Sequence, residues 1–362
     1  MNVIRKIGYL SAFLLPALVV TGYQLGGLWN LLPIGFVFLA VPLADRWFGL
    51  DTRNVSADEE DSIAGDFYYR FVTYAWLLMQ SSLFGWLCFV MAGSILSSAL
   101  DWILFTVAFG LVTGGIGITV AHELGHKKSS FDRLCSQFLL MTVCYMHFYI
   151  EHNRGHHVHV ATPQDPATAA RGQNAYTFWW QSVSGSWQHA WKLEKELLVK
   201  KGVSPWGLKN RMLLYSVIPL LFMAFLTLVS SMLAGRLVWE MPVFFLAQSL
   251  VAITLLELVN YIEHYGITRK ELAPGQYEKV NPLHSWNSSH AVSNFFLFQL
   301  QRHSDHHYHA AKRYQVLHHF NESPQLPFGY PAMILVALIP PLWFRTMDPL
   351  LDNWKNKTLV TQ

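Results

Sequence analysis

The stretch that decides the fold is ILFTVAFGLVTGGIGITVAHELGH, residues 103–126. Its first part, residues 103–120, carries no charged side chain and is long enough to cross a bilayer as a helix. His122 and His126 follow directly, four positions apart, so on a continuing helix both imidazoles lie on one face and can reach one metal ion. A single segment therefore predicts a membrane span that ends in part of a metal site.

The composition of the whole chain agrees with a membrane protein. Of the 362 residues, 52% are hydrophobic and 14% are charged, whereas about 25% of the residues in a soluble domain are charged. A net charge of +3 provides no basic excess for a phosphate backbone, which argues against nucleic-acid binding. The three cysteines form no CxxC pair, so the sequence contains no built-in iron–sulfur carrier.

Hydropathy predicts an all-α fold with six transmembrane helices in a single domain, residues 1–362. Each span is an apolar run of about 20 residues, the length that a helix needs to cross the hydrocarbon core. The predicted spans are residues 7–28, 31–48, 71–92, 103–120, 212–233 and 243–262. Two long polar stretches, residues 122–211 and 265–362, lie outside them and contain almost all of the histidines.

The distribution of basic residues predicts the orientation of this bundle. An even number of spans places both termini on one side of the membrane, and the opposite turns lie near Gly26, Ser97 and Gly235. These turns contain one basic residue, Arg236. Because cytoplasmic segments carry the excess of lysine and arginine, we expect the termini and both polar stretches to be cytoplasmic. The polar stretches would then form a cytoplasmic helical cap.

Histidine is concentrated in four clusters. They are HELGH at 122–126, HNRGHH at 152–157, NYIEHYG at 260–266 and HSDHH at 303–307. The second and fourth clusters each place three imidazoles within about one and a half helical turns, two on one face and a neighbour rotated away. Nine clustered imidazoles are too many for one ion, since zinc takes four ligands and other first-row ions at most six. The sequence therefore predicts two metal ions.

The ordered set HELGHK, EHNRGHH, NYIEHYG and LQRHSDHH, with ATPQDPAT and HSWNSSHAVSN between them, resembles the bacterial integral-membrane alkane 1-monooxygenases. That family is related to xylene monooxygenase and to membrane fatty-acid desaturases. The resemblance runs from the first span to about Asp348, and NYIEHYG and LQRHSDHH are specific to the alkane branch. Carried over position by position, it implies nine iron ligands: His122, His126, His152, His156, His157, His264, His303, His306 and His307.

The resemblance also implies the chemistry. We expect a non-haem centre of two iron ions, dioxygen as oxidant, and hydroxylation of the terminal methyl group of medium-chain linear alkanes that enter from the bilayer. Electrons would come from rubredoxin, itself reduced by an NAD(P)H-dependent rubredoxin reductase, and the enzyme would lie in the bacterial inner membrane. Imidazole binds zinc and copper as readily as iron, so the identity of the metal depends on the resemblance.

Further residues are predicted from the needs of such a site. Nine neutral ligands leave the charge of two ions uncompensated, so nearby carboxylates are expected to accept a hydrogen bond from the outer nitrogen of a ligand histidine. The candidates are Glu123, Glu151, Asp165, Glu263 and Asp305. The alternative is that these carboxylates pair with Lys127, Arg154 or Arg302.

Substrate and partner surfaces are also predicted. An alkane has no polar group and must be bound by apolar burial, so the stretch FVFLAV at 36–41 predicts a channel lined by Phe36, Val37, Phe38 and Val41. Rubredoxins are acidic, so a basic docking face is expected. It would draw on Lys127, Lys128, Arg133, Arg154, Arg171, Lys312 and Arg313.

Three other functions compete with this hypothesis. A related membrane desaturase, or a hydroxylase of fatty acids, sterols or alkyl-aromatics, would share the three histidine boxes. An intramembrane zinc protease could use His122, Glu123 and His126 as an HExxH motif, but it lacks an LDG-type third ligand and leaves seven clustered histidines without a role. A metal transporter or sensor would place its ligands near the middle of the bilayer.

Overall fold

The structure is a computed structural model that describes the backbone of residues 3–93, 96 and 98–360, and the side chains of residues 5–93, 96 and 98–356. Ser97, at one predicted turn, lies outside the described residues. Six helices in the described part are long and apolar enough to span a membrane: Arg5–Leu25, Gly27–Phe48, Phe67–Gly93, Ala99–Gly125, Arg211–Ala234 and Glu240–His264. The prediction of an all-helical fold with six spans is confirmed, and the chain is a multi-pass membrane protein.

Three of the spans change their helical geometry along their length. The first combines Val3–Gly8, the 3-10 turn Tyr9–Phe13 and Leu14–Leu25. The second combines the 3-10 turn Gly27–Leu31, Leu32–Gly35, the π-helical turn Phe36–Ala40 and Val41–Phe48. The fourth combines Ala99–Gly110, the π-helical segment Leu111–Ile118 and Thr119–Gly125. The last four spans extend past both predicted ends, because the helices continue into polar residues that hydropathy does not count.

The fourth span lies at the centre of the bundle. In its most apolar window 78% of the residues are buried, against 22–44% in the other five spans. It packs closely on the sixth span, where a Cβ added at Gly114 would lie 2.5 Å from the Cα of Ala252. This close approach of two backbones brings His122 and His264, at the ends of the two helices, to the same side of the bundle.

Outside the six spans the described chain forms further helices, one in the loop between the second and third spans and the others in the two polar stretches. These are Ala57–Gly65, Ser130–Met141, Phe148–Glu151, the π-helical turn His152–His156, His157–His159, Ala175–Lys200, Ala291–Phe296, His303–Tyr308, the 3-10 turn Tyr314–Val316, Tyr330–Ala337 and Pro340–Val360. The last two helices are bent by 120° relative to each other. The second of them begins at the paired prolines Pro340 and Pro341. Strands Glu271–Ala273 and Gln276–Tyr277 form an antiparallel hairpin.

A turn at Thr142 enters the bundle just before the second histidine cluster. The amide of Gln80 donates to the Thr142 hydroxyl at 2.9 Å, and the amide of Gln248 donates to the Thr142 carbonyl at 2.9 Å. These two glutamines lie on the third and sixth spans. Because polar groups inside a bundle need partners, this clamp fixes the start of the segment that leads to His152.

The last histidine cluster is braced from the other side. The buried guanidinium of Arg302 donates to the carbonyls of Leu317 and Asp51, the latter at 2.8 Å. Asp45, at the end of the second span, accepts the backbone N–H groups of Val292 and Ser293 at 2.9 Å each. A carboxylate at a helix N-terminus is stabilising, and these contacts tie residues 291–302 to the end of the second span and to the loop that follows it.

Candidate metal centre

The nine histidines converge in two groups. Within each group, one nitrogen from each ring lies within 4.8 Å of the chosen nitrogens of the other rings. The five-histidine group contains His122, His126, His152, His157 and His306, and the four-histidine group contains His156, His264, His303 and His307. All four rings of the second group are buried, whereas His126 and His157 of the first are half-buried.

The spacing of the nitrogens fits metal coordination. In the five-histidine group the Nε2 atom of His152 lies 3.1 Å from those of His126 and His157. In the four-histidine group the Nε2 atom of His303 lies 3.2 Å from that of His264 and 2.9 Å from that of His307. Imidazole nitrogens bind first-row metals at about 2.0–2.1 Å, so two of them at right angles on one ion lie about 3 Å apart. The donor set therefore fits two ions.

Three of the four clusters are histidine boxes: HELGH at 122–126 is the first, HNRGHH at 152–157 the second and HSDHH at 303–307 the third. The rings of the second and third boxes are divided between the two groups. In the second box His152 and His157 belong to the five-histidine group and His156 to the other. In the third box, by contrast, His303 and His307 belong to the four-histidine group and only His306 crosses to the other. The second and third boxes thus each serve both groups, as two imidazoles on one face with a rotated neighbour would predict, whereas His122 and His126 of the first box both belong to the five-histidine group.

The rings are held in the form that binds metals. Burial, together with the charges of neighbouring imidazoles, keeps the pKa of His152 and His306 well below the usual value. The same causes, with the Lys127 charge added, lower the pKa of His126. A metal ligand must be the neutral imidazole, so these rings are ready to bind without first losing a proton.

Asp165 makes the contact expected of a supporting carboxylate. Its Oδ2 atom lies 2.9 Å from Nδ1 of His156 and accepts the Thr168 hydroxyl at 2.6 Å. Burial alone would lower the pKa of His156, but the charge and hydrogen bond of Asp165 outweigh burial and raise it. The contact fixes the ring so that Nε2 faces the other nitrogens of its group.

The other four predicted carboxylates do not contact the outer nitrogen of a ligand histidine. Glu263 approaches a ligand ring on its inner nitrogen, with Oε2 3.2 Å from Nε2 of His303. The remaining three pair with groups outside the nine histidines: Glu123 with Lys127 at 2.9 Å, Glu151 with His189 at 3.1 Å, and Asp305 with His309 at 3.1 Å and Lys312 at 3.2 Å. The Glu123 pair matches the alternative of structural ion pairs, and it holds the would-be protease base away from the metal-facing nitrogens.

An apolar cavity reaches both histidine groups from within the bundle. His122 and His152 of one group and His303 of the other lie on its wall. Of the four predicted channel residues, Val37 and Phe38 line it. Phe36 and Val41 are not among the lining residues: the Phe36 ring packs on Phe296 at 5.7 Å, and Val41 is buried elsewhere. The π-helical turn makes each residue's direction differ from that on a regular helix.

Most of the predicted docking residues are engaged within the chain. Lys127 is buried, and Arg133, Arg154, Lys312 and Arg313 are half-buried. Their partners are the Lys128 carbonyl for Arg133, Glu194 for Arg154, Glu60 and Asp305 for Lys312, and Asp132 for Arg313. Lys128 and Arg171 are exposed, and Arg171 pairs with Asp352 at 2.7 Å.

The sequence did not single out a polar cluster one to two turns below the metal site. Glu257, buried in the sixth span, accepts the Tyr145 hydroxyl at 2.7 Å and the Asn260 amide at 3.2 Å. Asn260, Thr119 and Tyr330 also line the cavity. An acidic residue within a predicted span is the signal that could have found this cluster.

Comparison with known proteins gives the relatives of this chain. The pattern of the fatty acid desaturase family matches residues 97–337. Alkane 1-monooxygenase 2 of Pseudomonas aeruginosa is 42% identical over 89% of this chain and 84% of that protein. Alkane 1-monooxygenase 2 of Alcanivorax borkumensis is 38% identical over 97% and 92% of the two chains. The xylene/toluene monooxygenase hydroxylase component XylM of Pseudomonas putida is 29% identical over 80% and 76%.

The resemblance inferred from the sequence motifs is confirmed, and the chain belongs to the alkane 1-monooxygenase branch of the fatty acid desaturase family.

Proposed function

We propose that the protein is a non-haem di-iron monooxygenase that hydroxylates the terminal methyl group of medium-chain linear alkanes. The reaction is R–CH3 + O2 + two electrons + two protons, giving R–CH2OH and H2O. The observation that carries the proposal is the apolar cavity inside the bundle, whose wall includes histidines of both candidate metal groups. Kinship with alkane 1-monooxygenases supports the same substrate class.

The cavity explains how a substrate without polar groups is bound and aimed. Leu111, Ile118 and Val259 contribute to a wall that is almost wholly apolar, and each buried methylene contributes about 0.8 kcal/mol of transfer free energy. His122 and His303 stand where the cavity meets the metal groups. An alkane confined in this space presents its end to the histidines, and such positioning selects the stronger primary C–H bond over the weaker secondary ones.

The nine imidazoles, with Asp165 behind His156, would hold two iron ions. Bound iron would supply the activation of dioxygen, which no protein side chain performs. The buried rings exclude water, and the apolar wall keeps the reacting carbon away from competing solvent. Each of these roles belongs to residues that the fold places at one end of the bundle.

We further propose that the electrons come from rubredoxin, reduced by an NAD(P)H-dependent reductase, and that the site faces the cytoplasm of a bacterial inner membrane. The lysine and arginine bias of the predicted loops supports this orientation. For docking, the exposed Lys128 is the strongest of the predicted basic residues, because Lys127, Arg154 and Lys312 already pair with carboxylates.

The test is a product assay with labelled oxygen. Detergent-purified protein, supplied with iron, rubredoxin, the reductase and NADH, is incubated with octane under ¹⁸O₂. We expect 1-octanol that carries one ¹⁸O atom. An alkene as the main product would assign the protein to desaturation, and a secondary alcohol as the main product would contradict the role given to the cavity.

The channel residues have a matched test. Phe38 lines the cavity, whereas Phe36, two residues away, packs outside it. Phe38→Ala should shift the ratio of activities on long and short alkanes by about tenfold. This is the order of the discrimination that one methylene group provides in an apolar pocket. Phe36→Ala should shift that ratio less, and an equal shift in both variants would contradict the assignment of Phe38.

A further inference from the structure

Glu263 differs from the other carboxylates of the site in the nitrogen it approaches. Its Oε2 atom lies 3.2 Å from Nε2 of His303. That nitrogen is the one that faces His264 at 3.2 Å and His307 at 2.9 Å, and it is therefore the metal-facing nitrogen. Asp165, by contrast, contacts the outer Nδ1 atom of His156. Glu263 is on the side of the rings where an ion would lie.

The second oxygen of Glu263 is only weakly paired, with the hydroxyl of Tyr330 as its neighbour. The residue is 2% exposed, and among the described residues its Oε1 atom is buried without a hydrogen bond. The hydroxyl of Tyr330 is a donor beside this carboxylate, but the two do not form a hydrogen bond of ordinary geometry. A buried carboxylate that is not fully paired is costly, and a cation beside it removes that cost.

The charge of the site and the location of Glu263 also favour an ion beside this carboxylate. The four rings of the group are neutral donors, so a divalent ion among them would keep its full charge in a buried site. Glu263 also lies on the wall of the apolar cavity. Its carboxylate stands between the cavity and the four-histidine group, at the edge formed by His303.

We propose that Glu263 is a fifth protein ligand of the metal held by the four-histidine group. The four nitrogens that lie within 4.8 Å of one another are all from histidine, so the carboxylate moves in from the edge when the ion binds. This inference rests on the proposed two-metal site and adds to it. Each ion would then have five protein ligands, and one of them would bring a negative charge and a hard oxygen donor, which suits iron.

The test uses cobalt(II) as the only probe. Metal-free protein is titrated with cobalt, bound metal is counted by mass spectrometry, and the visible absorption bands report the ligands of each ion. The matched control is Glu257→Gln, which removes a buried carboxylate from the same helix where it bonds to Tyr145 and Asn260. Binding of two cobalt ions by the unchanged protein tests the proposed function separately.

We expect Glu263→Gln to weaken the binding of one of the two ions by at least about tenfold. Tenfold is the lower end of the loss in metal affinity when a hydrogen-bond partner of a metal ligand is removed. The bands of that ion should change, while the other ion binds as before and shows that the fold is intact. Glu257→Gln should keep both ions. If Glu263→Gln binds both ions with unchanged affinity and spectrum, or if Glu257→Gln loses the same ion to the same extent, the proposal is overturned.

A second variant covers the case in which Glu263→Gln binds neither ion. Glu263→Asp keeps the charge but shortens the side chain by one methylene. It should weaken one ion and leave the other unchanged, and unchanged binding of both would overturn the proposal. A protein that binds fewer than two ions before any substitution contradicts the proposed function instead.

Discussion

The second and third histidine boxes have a similar spacing of histidines, but they divide their rings between the two groups in opposite ways. HNRGHH, residues 152–157, gives two rings to the five-histidine group and one to the four-histidine group. HSDHH, residues 303–307, does the reverse. In both boxes the two adjacent histidines point to different groups, so neighbours in sequence are not neighbours in coordination.

The geometry of the backbone explains the difference. His303–Tyr308 is an α-helix, in which residues four apart share a face, and His303 and His307 share a group. His152–His156 is a π-helical turn, in which the hydrogen bonds join residues five apart, and His152 and His157 share a group. One extra residue and one wider turn therefore decide which group each ring joins.

The largest effect is expected from removing one ring of the adjacent pair in the second box. His156→Ala takes a ligand from the four-histidine group and His157→Ala takes one from the five-histidine group. Each should lower hydroxylation by more than the roughly 100-fold upper range for loss of a supporting hydrogen bond. Mössbauer spectra of iron-loaded protein should show a different iron perturbed in each variant, and the same iron perturbed in both would break the comparison.

A smaller effect is expected from Asp165, which supports His156 of the second box. Asp165→Asn should weaken one metal about 10- to 100-fold, because the ring loses the partner that fixes its orientation. Asp305→Asn is the comparison in the third box, since Asp305 bonds to His309 and Lys312 rather than to a ligand ring. Metal titrations should show a weaker effect for Asp305→Asn, and equal effects would contradict the role of Asp165.

The π-helical turn is open to a direct test at Gly155. A Cβ at this position would lie 2.6 Å from Oε1 of Glu151 and 2.8 Å from the His189 ring. Gly155→Ala should therefore destabilise the protein by about 1–3 kcal/mol, as overpacking usually does. Gly115→Ala is the control, because a Cβ there meets no atom within 4 Å. Thermal unfolding in detergent measures both, and equal midpoints would show that the turn tolerates the added methyl group.

The smallest effect concerns the loop that braces the third box through Arg302. Burial alone would raise the pKa of Asp51 in that loop, but the hydrogen bonds and charges of Arg53 and Arg5 outweigh burial and lower it to about 2. The unfolded value is near 3.8, so the ionised carboxylate stabilises the fold above that pH. Its contribution, about 1 kcal/mol or less for a partly solvated pair, is lost as the pH falls from 3.8 towards 2.

The measurement is the unfolding midpoint as a function of pH. Asp51→Asn should flatten the curve between pH 2 and 4, because the substituted side chain does not titrate. If the variant and the unchanged protein lose stability in parallel across this window, Asp51 does not brace the loop in the way the ion pairs indicate.

The sequence predicted the spans and the nine histidines because both depend on local patterns. An apolar run of about 20 residues can do little but cross the bilayer, and the end of residues 103–120 places His122 at the membrane surface. The pairing of His152 with His157 instead of His156 was not predictable, since it depends on the π-helical turn at His152–His156. Next to that turn Glu151 contacts His189, 38 residues away in sequence, and a local sequence pattern does not report such a contact.

The supporting carboxylates show the same limit. Asp165, Glu123 and Glu263 all lie beside histidine boxes, yet they contact an outer nitrogen, a lysine and an inner nitrogen, respectively. Closeness in sequence does not fix the direction of a side chain across helices that meet only in the fold. The cavity wall is likewise visible only in the structure. It combines residues of the first, second, fourth and sixth spans with residues of the two polar stretches.

The central claim is that two groups of imidazoles hold two redox-active ions at the inner end of an apolar cavity. It is tested most directly by metal analysis combined with iron X-ray absorption on purified, active protein. We expect two irons per chain, each surrounded mainly by imidazole nitrogens. One bound zinc ion, or full activity with a single iron, would contradict it.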